Sequence, residues 1–204
     1  MSLRLMPRVD ACLLFGLRVP TRWEWVAAAL ADPVATLVDH AHCEMKAATT
    51  ALMMAARYAH LPSIADAMLA LARQEIAHYE TVAAELRRRG RHPEPHGADR
   101  YAKALRANVR GVEPHRLLDL LLVCSIVEAR SCERFGLLAE QTLDHALKDI
   151  WSEFATCEAG HHALFVGLAE TIAMKADVVA RLAALLEVEA HVLGSLPCEA
   201  RIHG

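Results

Sequence analysis

The sequence carries one small pattern twice. Glu75-Ile-Ala-His78 lies 31 residues after Glu44, and Glu158-Ala-Gly-His161 lies 30 residues after Glu128. The first glutamates of the two halves are 84 positions apart and the Glu-x-x-His pairs 83. Positions i and i+3 share a helix face, so each pair aims a carboxylate and an imidazole at one point from one rigid element. At ~1.5 Å rise per residue, about 30 residues take a chain up one helix, round a short turn and back to the same height. The pattern therefore demands two helical hairpins, each with its acidic residues and histidine at one level.

Composition agrees with an all-α chain. Hydrophobic residues make up 54% of 204 residues, with nine Gly and eight Pro, which suits long helices and short loops better than a turn-rich β-fold. The length suits one domain, residues 1–204.

Local signals divide the chain. Thr21-Arg-Trp-Glu24 reads as a capping box opening a short helix, with Thr21 as N-cap. Asp32-Pro33 caps a long helix to about Ala59, and Leu61-Pro-Ser63 breaks it. A second long helix reaches Arg89, where Gly90 offers the left-handed C′ position. Residues 91–99 form a loop, and a shorter helix covers roughly 99–110 before Gly111. Glu113-Pro114 opens a third long helix to about Ala139, a fourth runs from about Leu143 to Ala173, and a last helix spans Asp177 to about Leu193. The expected core, about 33–173, is a four-helix bundle with a long crossover between its second and third helices and short flanking helices.

Taken singly, a Glu-x-x-His is more often a solvated helix face than a metal site, and a buried-looking glutamate more often an ion-pair partner. The repeat reverses that balance. Four glutamates in a bundle core without a cation would face desolvation and mutual repulsion, whereas two divalent ions balance their charge. Four carboxylates and two imidazoles suit iron or manganese better than zinc or calcium.

These residues resemble the ferritin-like di-iron carboxylate proteins, a set that also holds the rubrerythrins and bacterioferritins. Val-Glu-Ala-Arg-Ser-Cys-Glu-Arg-Phe at 127–135 and the chain length narrow the resemblance to the tRNA hydroxylases that act on 2-methylthio-N6-isopentenyladenosine. The resemblance implies a non-haem di-iron monooxygenase that hydroxylates the isopentenyl group with O2. Its two iron ions would be held by Glu44, Glu75, His78, Glu128, Glu158 and His161. The chain has no GxGxxG or cysteine cluster for a redox cofactor of its own, so an external reductase system is implied.

Charge bears on the tRNA partner. The net charge is −3, yet residues 87–116 hold nine Lys or Arg against three acidic residues, a local +6. Arg100, Lys103, Arg106 and Arg110 follow helical spacing and form a candidate phosphate-binding stripe beside Arg87, Arg88, Arg89 and Arg91. On spacing alone a solvated basic face is an equal reading.

The remaining candidates have humbler readings. His40, one turn before Glu44, is placed to hydrogen-bond it; His162 points away from His161 toward a surface or supporting role. Glu187 and His191 read as a solvated pair, Tyr79 as packing, and Met53, Met54 and Met68 as core filler. The six cysteines show no CxxC pairing and read as reduced, mostly buried thiols. The chain shows neither a membrane span nor a signal peptide, so a cytoplasmic protein is expected. Two other functions fit the residues: a bacterioferritin- or rubrerythrin-like ferroxidase or iron-handling protein, and an all-α interaction module with a vestigial site.

Overall fold

The computed structural model describes residues 15–94, 97 and 99–203. Cys12, the N-terminal apolar run around it, and Pro95, His96 and Ala98 of the expected loop lie outside the described residues. Among the described residues there are seven α-helices and no strand: α1 (Trp23–Ala31), α2 (Pro33–Arg57), α3 (Pro62–Arg88), α4 (Arg100–Arg106), α5 (His115–Gln141), α6 (His145–Ile172) and α7 (Lys175–Ser195). None of them is long and apolar enough to cross a membrane. The chain forms two compact units.

One unit is the α2–α3 hairpin with Ala200–Ile202. Asp32 caps α2 by accepting the Ala35 N–H at 2.9 Å, with Pro33 at the first helical position as expected. At the end of α3 Gly90 has φ 71°, which lets the Arg91 N–H turn back to the Leu86 carbonyl at 2.9 Å. Ala48, Ala51, Met54 and Ala55 of α2 and Ile64, Met68, Leu71 and Ala72 of α3 are buried. Met53 is not core, contrary to expectation: it is 56% exposed. Adjacent helical positions diverge by ~100°, so with Met54 inward Met53 faces out. The Ile202 N–H closes on the buried Asp39 carboxylate at 2.7 Å.

The other unit holds α1 and α4 to α7. Here the expected capping box is not formed. The Thr21 N–H and hydroxyl both donate to Glu133, at 2.9 and 2.7 Å, a demand from 112 residues away that local spacing does not reveal. Asp99 caps α4 through the Ala102 N–H, but the helix stops at Arg106, so the expected stripe through Arg110 does not run along one helix. Likewise α6 begins at His145 because Asp144 caps Ala146 and Leu147, leaving Leu143 97% exposed in the loop.

The fully buried Asp119 shows why Arg110 departs from the stripe. It receives the Arg110 guanidinium at 2.7 and 2.9 Å, the Arg110 N–H at 2.9 Å, and the Arg181 guanidinium at 2.9 Å on both oxygens. Burial alone would raise its pKa, but these hydrogen bonds and the Arg181 charge outweigh it and bring it down to about 2. A carboxyl depressed on folding contributes stability above its unfolded pKa and loses it as pH falls through the folded value. Asp119→Asn is therefore expected to cost about 2 kcal/mol at pH 7, with the gap to the parent closing between about pH 4 and pH 2. Denaturant melts of both proteins across that range check it; a gap constant with pH refutes it.

Candidate metal centre

Each unit brings one set of the repeated residues together. In the α2–α3 hairpin Glu44 and Glu75 are buried, at 4% and 1% exposure. His78 Nδ1 stands 3.3 Å from Glu75 Oε2 and 3.5 Å from Glu44 Oε2, and one donor atom from each of the three lies within 4.8 Å of the others. Glu44 Oε1 is 2.8 Å from His40 Nε2, the contact expected from the one-turn spacing. Burial works to lower the pKa of His78, but the close approach of Glu44 and Glu75, with their charge, raises it to about 11.

In the other unit α5 supplies Glu128 and α6 supplies Glu158 and His161. All three are buried, His161 Nδ1 is 3.2 Å from Glu158 Oε2, and their donor atoms again lie within 4.8 Å of one another. His162 leaves this cluster, as expected. Its Nδ1 is 2.8 Å from the Ser125 carbonyl and its ring meets Phe15 edge-on at 4.7 Å, which ties α6 to α5 one turn before Glu128. Nearby, Cys132 donates its thiol to the Ala155 carbonyl at 3.0 Å. Burial, then the charges of Glu158 and Glu133, push that thiol up to about 12.

Two buried carboxylates and one imidazole per unit are a good donor set for one divalent ion of the iron or manganese class. Without a cation, buried carboxylates are costly.

Comparison with known proteins agrees with this chemistry. The model of a protein family described as tRNA-(MS[2]IO[6]A)-hydroxylase (MiaE) matches residues 10–204. This chain belongs to that family. It is accordingly an enzyme of the hydroxylase, that is oxidoreductase, type. A tRNA 2-(methylsulfanyl)-N(6)-isopentenyladenosine(37) hydroxylase of Pseudomonas putida is 38% identical over 199 residues, 98% of this chain and 95% of the relative. One of the same description from Salmonella typhimurium is 30% identical, covering 97% of this chain and 90% of its own. Among solved structures, Protein 43 with aldehyde deformylating oxygenase activity from Synechococcus matches with a TM-score of 0.88 and 40% identity, over 92% of this chain and 95% of that one. The fold class is thus all-α, as composition and the repeat predict, and ferritin-like, as the resemblance implies.

In this family member the stretch 127–135 does more than carry Glu128. Arg130, Glu133 and Arg134 are buried on α5, and sequence reasoning assigned them no role. Arg130 bonds Glu133 and reaches Glu189 of α7 at 2.9 Å, the Val19 carbonyl at 2.9 Å and Thr21 at 3.2 Å. Tyr101 of α4 donates to Glu189 at 3.0 Å, and Arg134 lies over the Trp25 ring at 4.3 Å. Burial first, then the Glu189 charge, raise the Tyr101 pKa well above normal, so it stays a donor. The signal was available: Glu189 sits between Leu185, Leu186 and Leu193 on the apolar side of α7, whereas the more conspicuous Glu187 and His191 are exposed.

The basic residues are distributed less favourably than their spacing suggested. Arg88 and Arg89 bond Glu85 at 2.7 and 2.6 Å, Arg91 bonds Glu94 at 2.9 Å, Arg100 bonds Glu199 at 2.8 Å, and Arg110 is held by Asp119. Arg87, Lys103 and Arg106 are exposed. Tyr79 is half-buried.

Removing one partner from a fully buried ion pair leaves the other uncompensated, at a cost of about 3–5 kcal/mol. Arg130→Met is expected to show that loss in thermal or denaturant unfolding, while Glu187→Ala, at the exposed surface, changes stability by less than about 0.5 kcal/mol. Equal stability of the two variants contradicts the assignment of the cluster.

Proposed function

We propose that this chain is a single-domain, cytoplasmic tRNA-modifying monooxygenase that hydroxylates the isopentenyl side chain of 2-methylthio-N6-isopentenyladenosine. The observation that carries the reading is the pair of matched Glu, Glu, His sets in a family whose named relatives are hydroxylases of this nucleoside. Glu44, Glu75 and His78 would hold one iron, and Glu128, Glu158 and His161 the other. Bound there, two ferrous ions supply the reducing power to activate O2 that no side chain possesses.

The overall change takes the substrate C–H, O2, two electrons and two protons to an alcohol and water. The chain's own residues have three tasks in it. The four carboxylates and two imidazoles fix the ions. Phe154, Phe165 and Trp151, buried on the Glu158 stripe of α6, keep that stripe dry. The exposed Arg87 and Lys103 meet tRNA phosphates, with Arg88, Arg89, Arg91, Arg100, Arg106 and Arg110 contributing positive potential beside them. The two electrons come from a separate reductase system, since the sequence has no redox motif of its own.

A second activity is favoured by one observation: the 40% identical Synechococcus protein is named for aldehyde deformylation. Incubation with a long-chain aldehyde and reductant, reading formate, separates it from tRNA hydroxylation.

Purified, iron-loaded protein is expected to hold two iron ions per chain. Glu128→Ala and His161→Ala should lose iron by elemental analysis, whereas Glu187→Ala keeps it. Reduced protein mixed once with O2 and isopentenylated tRNA should form at most one hydroxylated nucleoside per chain, and resume only when reductant is added. Nucleoside analysis reads this, and many turnovers without an electron source sink the mechanism.

Charge reversal of Lys103 and Arg106 to Glu should weaken tRNA binding and flatten its salt dependence, because each lost phosphate contact removes a counterion-release contribution, while iron content is unchanged. An unaltered salt titration puts the tRNA surface elsewhere.

A further inference from the structure

Helix α4 is too short to hold its own place. Its 7 residues fall below the ~12–15 that an isolated helix needs in water, so its position is set by what it touches. One of those contacts comes from His203, 104 positions on from Asp99. His203 is buried, and its ring stacks on that of the fully buried Tyr101, with centroids 5.1 Å apart and planes at 20°. Its Nδ1 lies 3.2 Å from Asp99 Oδ2 and its Nε2 3.0 Å from Ser131 Oγ. A carboxylate only accepts, so Nδ1 carries the hydrogen toward Asp99, while Nε2 faces the Ser131 hydroxyl, which can serve as either partner. Asp99 Oδ1 meanwhile caps α4 through the Ala102 N–H at 2.9 Å. Ser131 lies one turn after Glu128 on α5. A single imidazole thus ties the start of α4 to the turn of α5 that follows Glu128.

Asp, His and Ser in this order have the connectivity of a nucleophile triad. Ser131, however, lies well inside α5, where neighbouring backbone N–H groups are committed to the helix and make no oxyanion hole. The three side chains form a link instead. We propose that His203 is a positioning residue for tRNA: by fixing α4 against α5 it holds Lys103 where a phosphate meets it. The inference rests on the tRNA reading above and deepens it. Lys103 is exposed and follows Tyr101 by two positions, a rotation of about 200°, so it projects from the side of α4 away from the His203 stack. A phosphate contact made from a loose helix must order that helix at every encounter. One made from a helix already fixed does not, and binding is tighter by the difference.

Fluorescence anisotropy with tRNA bearing 2-methylthio-N6-isopentenyladenosine, read across a salt series on the full iron-loaded chain, tests it. His203→Phe keeps a ring against Tyr101 and removes both nitrogens. It should weaken binding roughly tenfold at about 0.1 M salt and reduce the salt slope by about one. Ser131→Ala, which removes the α5 end of the link, should lose affinity in the same direction. His203→Gln, whose amide can donate and accept, should recover part of the loss. Lys103→Ala should weaken binding on its own, and His203→Phe should then cost little more, because both act on one contact. Iron content should match the parent in each variant. Equal affinity of His203→Phe and the parent, or losses from His203→Phe and Lys103→Ala that simply add, overturns the inference and leaves the tRNA surface standing. Loss of iron in His203→Phe also overturns it, since His203 is then a general structural pin. Lys103→Ala binding as the parent does at every salt concentration overturns both.

Discussion

Buried carboxylate charge is the constraint on which the rest of this structure depends. Glu44, Glu75, Glu85, Asp119, Glu128, Glu133, Glu158 and Glu189 are all withdrawn from water, and an ionised carboxylate so placed needs a compensating charge close by. The chain answers in two ways. Asp119, Glu85, Glu133 and Glu189 face arginines, which stay charged and fix distances through their planar fork. Glu44, Glu75 and Glu158 face imidazoles, whose protons a metal ion can replace. The first arrangement is permanent and holds helices together. The second is exchangeable, as the proposed metal centre would require.

Helix α5 carries both arrangements at once, on opposite sides. Arg130 follows Glu128 by two residues, a rotation of about 200°, and Glu133 and Arg134 fall on the same far side. Anchoring that far side to Glu189, Thr21 and Trp25 fixes the rotation of α5, and with it the direction in which Glu128 points. Packing of leucines alone leaves a helix some freedom to roll. A cluster of hydrogen-bonded ions, each with defined partners, leaves much less. The stretch 127–135 thus combines a proposed ligand, Glu128, with the device that aims it.

What was legible in the sequence follows from the range of each interaction. Helix existence and the ligand levels came from periodicity and from the 30- and 31-residue spacings, which are local geometry and need no knowledge of tertiary partners. Asp32 and Gly90 were readable for the same reason, since a cap contacts atoms within a few residues. Thr21 misled because its strongest partner, Glu133, is remote in sequence, and a hydroxyl serves a long-range acceptor as readily as a local N–H. Met53 misled because it and Met54 are adjacent on one helix, and which of the two points inward is set by the neighbour that Met54 meets. The ionic cluster escaped because Arg130 and Glu133 look like ordinary surface residues until their burial is known, so that only the apolar setting of Glu189 pointed to it.

The basic segment shows the same distinction between counting and placing charges. Its apparent +6 is taken from residues 87–116 alone. Glu85, Asp119 and Glu199 lie outside that window, yet they hold Arg88 and Arg89, Arg110, and Arg100. Including these three carboxylates halves the charge. An arginine engaged in a bidentate pair still contributes potential, but to bind a phosphate it must give up or share a carboxylate already in place, which subtracts from the gain. The affinity of the proposed tRNA surface is therefore expected to depend on Arg87 and Lys103 more than on the paired arginines that make the sequence look basic. The paired arginines act instead as a background field that steers the polyanion and fades with salt.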